Sequence, residues 1–206
     1  MNLGCCCGRP ADTITKDLAL IRNTTSDWGF PARTLHWLGA AAILILLGHG
    51  WWMTHMIPAS PARFTNFSWH GALGYDLLVL MVVRLLWRWF AGAPALPAGS
   101  KRWEWIAATS GHVLLYIFTF AAAVVGWALA GTLRTPLTKD LFGVSFPLIY
   151  ANADHATHEM LEDGHKILAY ILAVIIVVHV AGALRHHFVK RNDVLWRMLR
   201  TAAKAA

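Results

Sequence analysis

The residues best equipped for chemistry are histidines, and two of them sit in one apolar run, His165 to His179 in HKILAYILAVIIVVH. Fourteen residues at about 100° each bring the two imidazoles back to within roughly 40° of one another on a helix, and separate them by roughly 21 Å along its axis. After Lys166 the intervening residues are Ala, Ile, Leu, Val and Tyr only. One apolar helix therefore carries two imidazoles at two depths. Neutral imidazole is a metal ligand, and two of them can fill both axial positions of haem iron. An iron so held has no open site and changes oxidation state with little rearrangement. The chemistry to expect from such pairs is electron transfer.

The elements that would position these histidines are membrane helices. Hydrophobic residues make up 57% of the 206 and charged residues 14%, against about a quarter charged in a soluble domain. The apolar residues gather into four stretches, 35–57, 68–91, 105–131 and 165–187, each near or above the ~20 residues that cross a hydrocarbon core. Trp37, Trp51, Trp52, Trp69, Trp87, Trp89, Trp103 and Trp105 lie near the ends of these stretches, as in an aromatic belt. The fold class expected is all-α, a transmembrane four-helix bundle over residues 31–200. A polar tail occupies 1–30, with a short helix around 14–22, and a second tail 201–206. No apolar leader is visible in 1–30.

The net charge of +7 raises nucleic acid as a partner, and its distribution argues against that. With the N-terminus cytoplasmic, 14 of the 18 Lys and Arg fall in cytoplasmic segments or adjoining helix ends. Arg63, Arg134, Lys139 and Lys166 fall on the other side. That asymmetry predicts an inner-membrane protein with both termini inside and membrane lipid as its partner. Cys5, Cys6 and Cys7 are adjacent, which suits no disulfide framework.

Placed by depth, the inner level holds His36, His112 and His179. The outer level holds His70 and His165 and, less deeply, His49 and His55. Ionisable residues inside a span are functional candidates by default. His36 can meet His179, with His112 as rival, and His70 can meet His165: two haem b groups stacked across the membrane. His49, thirteen residues after His36, is turned about 140° from it and should not share its seam. Gly39, Gly74 and Gly182 lie three or four residues from His36, His70 and His179, where a missing side chain leaves room for a porphyrin. Arg33 and Arg84 suit the propionates of an inner haem, Arg63 and Lys166 those of an outer one. Asp76, about six residues into a span, should face the bundle interior or be protonated. Residues 58–67 read as an outer turn. Ala153 to Gly164 reads as a separate amphipathic helix on the outer surface, and its His155, His158 and Glu162 as a solvated face rather than a metal site.

These motifs resemble the bacterial cytochrome b561 family of four-helix di-haem b membrane proteins. The resemblance rests on Leu35-His36-Trp37, on His70 and Gly74 opening span two, and on the LMVVRLLWR run at 80–88. Gly111-His112, His165 with Tyr170, and the His179 segment ending in His186-His187 complete it. It covers roughly residues 31–200. It implies axial ligation by His36 with His179 and by His70 with His165, and electron exchange with quinone. Members of this kind take an electron from superoxide at the outer face and pass it to ubiquinone. Other relatives are the haem subunits of dehydrogenases or hydrogenases. His186, seven residues past His179 on the same face, is then the candidate quinone contact. The N-terminal tail, Asp76, His49 and His55 depart from the family pattern.

Overall fold

The computed structural model describes residues 21–95, 99–133, 135, 137–150 and 153–199. The three cysteines, most of the helix expected around 14–22, Arg134 and the tail 201–206 lie outside them. The described residues form four long helices and one short one: α1 (Phe30–His55), α2 (Pro61–Ala91), α3 (Arg102–Gly131), α4 (His155–Phe188) and α5 (Val194–Leu199). The long helices have 26, 31, 30 and 34 residues. At about 1.5 Å per residue each exceeds the ~30 Å hydrocarbon thickness. All four are long and apolar enough to cross a membrane, and consecutive helices pack on one another.

Each helix is longer than its apolar stretch, because hydropathy marks the part in hydrocarbon while capping marks the end of the hydrogen-bonded helix. The turn expected over 58–67 shrinks accordingly. Ser60 caps α2, its hydroxyl accepting from the Arg63 N–H, and Pro61 occupies the first turn, where a missing N–H costs nothing. The separate helix expected over 153–164 is instead the first part of α4. The Asp154 carboxylate accepts from the Thr157 N–H at 2.9 Å, and the helix runs unbroken through Gly164. A glycine costs about 1 kcal/mol against alanine inside a helix, too little to end one of this length. At the other end of α2, Gly92 closes the helix at φ +70°, a conformation glycine adopts without strain.

The core is thin and lies at mid-depth: Ile43 of α1, Leu77 and Met81 of α2 and Leu172 of α4, with Leu115 and Phe118 of α3 against them. The outward faces are apolar too. Val177 and Val178 on α4 are about two-thirds exposed, at 68% and 66%. An apolar exterior on this scale belongs in lipid.

The outer connection folds back against α2 and α3. Asp140 Oδ1 accepts from the N–H groups of Phe142 and Val144, and Gly143 turns at φ +82°. Phe146 stacks on Tyr75 at 4.4 Å, and the Tyr75 hydroxyl donates to the Leu137 carbonyl at 2.6 Å. Asp76 meets this loop as well, its Oδ2 accepting from the Leu141 N–H at 3.3 Å. The expectation that Asp76 faces the bundle interior is corrected: it is partnered by loop backbone. At the inner end, Glu104 is 4% exposed and lies 3.3 Å from Arg185 and 3.1 Å from Lys190. It ties the start of α3 to the end of α4.

Candidate functional site

Two clusters of three histidines form, one toward each end of the bundle. In the inner cluster α1 supplies His36, α4 His179 and α3 His112. The His36 and His179 ring centroids are 6.5 Å apart, and those of His112 and His179 5.3 Å. Arg84 Nη2 donates to His36 Nδ1 at 2.8 Å, and the guanidinium lies over the Tyr116 ring at 5.5 Å. His112 Nδ1–H donates to the Ala108 carbonyl at 2.7 Å.

In the outer cluster α2 supplies His70, α4 His165 and α1 His49. The His70 and His165 centroids are 6.1 Å apart, and those of His49 and His70 5.9 Å. His165 Nδ1–H donates to the Ala122 carbonyl at 3.0 Å. His49 Nε2–H donates to Asn66 Oδ1 at 3.0 Å, the amide being oriented by its own bond to the Ala62 carbonyl. All six rings are half-buried. His55 stays outside both clusters, exposed at the end of α1 and bonded to Trp51 and Thr54.

Sequence reasoning set His49 apart, and the structure places it against His70. It keeps its expected outer level and stays off the seam of His36, turning to α2, because a helix in a bundle has neighbours on more than one side. Two glycines allow close approach to the outer cluster; Gly126 is a small residue of the kind that lets a neighbouring helix come near the backbone, while Gly50 carried no such signal in the sequence. A Cβ at Gly50 would stand 3.1 Å from His70 Cε1, and one at Gly126 2.9 Å from His165 Cε1. Among the described residues nothing lies within 4 Å of such a Cβ at Gly74 or Gly182, while at Gly39 it would meet Arg84 and Met81 at 3.8 Å.

The other candidates scatter. Lys166 is taken up by Glu162 at 2.7 Å and Asp163 at 3.5 Å. Arg63 lies over the Phe67 ring at 5.6 Å. Arg33 lines a groove with Phe30, Trp37 and Met198, so Arg84 is the cation in contact with His36. His186 Nδ1 pairs with Asn192 Nδ2 at 2.9 Å, and it is His187 that lines an inner groove with Arg191 and Trp196. Glu104 went unremarked in the sequence, although it is the sole carboxylate between Asp76 and Asp140.

The family-wide model of prokaryotic cytochrome b561 matches residues 27–201. The chain belongs to the prokaryotic cytochrome b561 family. It is 30% identical to cytochrome b561 homolog 2 of Escherichia coli (strain K12) over 179 residues, 86% of this chain and 93% of that one. It is 26% identical to a probable superoxide oxidase CybB of Yersinia pestis, over 80% of this chain and 91% of that one. It is 24% identical to a probable Ni/Fe-hydrogenase B-type cytochrome subunit of Rhizobium leguminosarum bv. viciae, over 88% and 89%. As a member of that family it is a multi-pass membrane cytochrome, with haem b as its cofactor and electron transfer as its work.

The histidines fit that cofactor on geometry. With metal–imidazole bonds of about 2 Å, two axial rings on one iron have centroids roughly 6 Å apart. His36 with His179, His70 with His165 and His49 with His70 all come close to that separation. In His165 and His112 the Nδ1–H bond to a carbonyl leaves the Nε2 lone pair for iron. His70 Nδ1 is buried without a partner among the described residues. His36 fits less cleanly, since with Nδ1 accepting from Arg84 its own proton sits on Nε2.

Proposed function

We propose that the protein holds two haem b groups, one between His36 and His179 and one between His70 and His165. It would oxidise superoxide at the periplasmic face and reduce ubiquinone. The reading is supported by the two histidine pairs, whose members on α4 stand at two depths of a single helix. When bound, haem iron held by two imidazoles supplies one-electron transfer without an open coordination site. The Ala122 carbonyl fixes His165 in the tautomer that binds through Nε2. Arg84 has to release His36 Nδ1 for the same tautomer there, which frees its guanidinium for a propionate of the inner haem. Arg63 is the candidate cation for the outer one. Each superoxide gives up one electron and leaves as dioxygen; two electrons and two protons convert ubiquinone to ubiquinol. Lys166 is neutralised by Glu162 and Asp163, so attraction of superoxide falls to Arg63 and Lys139. His186 remains the candidate quinone contact. Both termini face the cytoplasm on the distribution of Lys and Arg, with residues 31–200 as the electron-transfer domain between two tails. The test is superoxide consumption by purified protein supplied with ubiquinone. Near-diffusional, quinone-dependent removal is expected, and absence of any rate above spontaneous dismutation would end this reading.

A second reading, a cytochrome subunit carrying electrons between a hydrogenase or dehydrogenase and quinone, is favoured by the outer part of α4. There the His155–Glu159, His158–Glu162 and Lys166–Glu162 pairs form a charged platform suited to docking a protein. Co-purification with a soluble redox enzyme, and inactivity alone, would favour it.

A further inference from the structure

We propose that the groove between the start of α1 and α5 holds the headgroup of an anionic phospholipid. The groove has a volume of about 420 Å3 and is lined by Phe30, Arg33, Thr34, Trp37, Leu38, Met198 and Leu199. The α1 residues fall at spacings of three and four, on one stripe of the helix. The opposite wall is α5, held in place by the Trp37 indole N–H donating to the Met198 carbonyl at 2.9 Å.

Arg33 is the polar feature. It is 7% exposed, and its Nε is buried without a hydrogen-bond partner among the described residues. None of the described carboxylates forms an ion pair with it. A guanidinium is always charged, and burying one without an anion is costly. A phosphodiester matches it in charge and in the spacing of its oxygens. The remaining walls say what is attached to that phosphate. Phe30 and Leu38 are 59% and 55% exposed, on a helix that crosses the membrane, so the groove opens sideways to acyl chains. A free phosphate would leave those apolar walls unused. Arg84, in contact with His36 at 2.8 Å, is the cation assigned above to a propionate of the inner haem. The proposal does not pass through the haems, and its test reads a different quantity.

Full-length protein stripped of lipid in mild detergent is titrated with phosphatidylglycerol, phosphatidylcholine or inorganic phosphate, and bound lipid is counted by native mass spectrometry. One phosphatidylglycerol should be retained about tenfold more tightly than phosphatidylcholine, and phosphate at equal concentration should not displace it. Arg33→Gln should weaken phosphatidylglycerol to the level of phosphatidylcholine while haem content stays unchanged. Leu199→Trp, which fills the groove from the α5 side and leaves Arg33 intact, should weaken both lipids and decides the matter if the first variant fails to fold. Equal retention of the two lipids by wild type, displacement by phosphate, or retention undiminished in both variants would overturn the proposal. So would loss of haem in Arg33→Gln with phosphatidylglycerol still bound, which would assign Arg33 to the inner haem.

Discussion

A Cβ at Gly126 would stand 2.9 Å from Cε1 of His165, so α3 approaches this ring as closely as a bare backbone allows. The ring cannot simply move away, because Nδ1 is bonded to the Ala122 carbonyl one turn earlier on the same helix. Gly126→Ala should therefore push His165 out of line, at a cost of about 1–3 kcal/mol in overpacking. Haem quantitation should show loss of about half the haem, the fraction that His165→Ala also removes. Full haem content with an unchanged spectrum would show that the contact carries no constraint.

His49 and His165 compete for the role of partner to His70, at 5.9 and 6.1 Å. If His165 is the ligand, His49→Phe should keep all the haem while shifting the midpoint potential of the outer centre, since an aromatic face is retained and the imidazole dipole is lost. His165→Ala should lose the outer haem outright. Loss of haem in His49→Phe, with retention in His165→Ala, would reverse the assignment.

The inner level poses the same question with His36 and His112. His112 sits closer to His179 and already presents a free Nε2, whereas His36 must first let go of Arg84. Ligation by His36 predicts that His36→Ala loses the inner haem and His112→Ala does not. It also predicts that Arg84→Gln keeps the haem at an altered potential. A reduced-minus-oxidised spectrum with haem quantitation separates these outcomes.

Glu104 is a nearly buried carboxylate facing two cations on the last turn of α4 and just beyond it. Glu104→Gln leaves Arg185 and Lys190 facing each other without an anion. Thermal unfolding followed by circular dichroism should shift down by several degrees, with the haem spectrum unchanged below the transition.

Asp154 caps α4 outside the membrane. The hydroxyl and the backbone N–H of Thr157 both bond its carboxylate and hold it below the ordinary carboxylate range. A depressed value means the cap contributes fully above the pKa of an unfolded aspartate, and is lost as pH falls through the lower folded value. Amide exchange at 155–158 should therefore rise in acid. Asp154→Asn, which caps without titrating, should remove that pH dependence.

The four spans and the two histidine depths were legible because both follow from one-dimensional spacing: apolar run length, and residues per turn. The helix ends at Pro61 and His155 were not, since they depend on the Ser60 and Asp154 caps rather than on hydropathy. Nor were Asp76 and Glu104, whose partners lie 65 and 81 residues away along the chain. His49 was legible as an outer-level histidine off the seam of His36, but only the packing of α1 on α2 says that it faces His70. At Gly126 a close approach could be expected from its size but not what approaches, and Gly50 gave no signal: a missing side chain becomes meaningful only when something on another helix meets it.

Arg84 places a fixed positive charge against the inner histidines, and among the described residues the outer cluster has no counterpart, its nearest lysine being quenched by two carboxylates. An electron is more comfortable beside a cation. If the inner cluster holds an iron, that cation favours the reduced state over the oxidised one, and its removal in Arg84→Gln lowers the midpoint potential there.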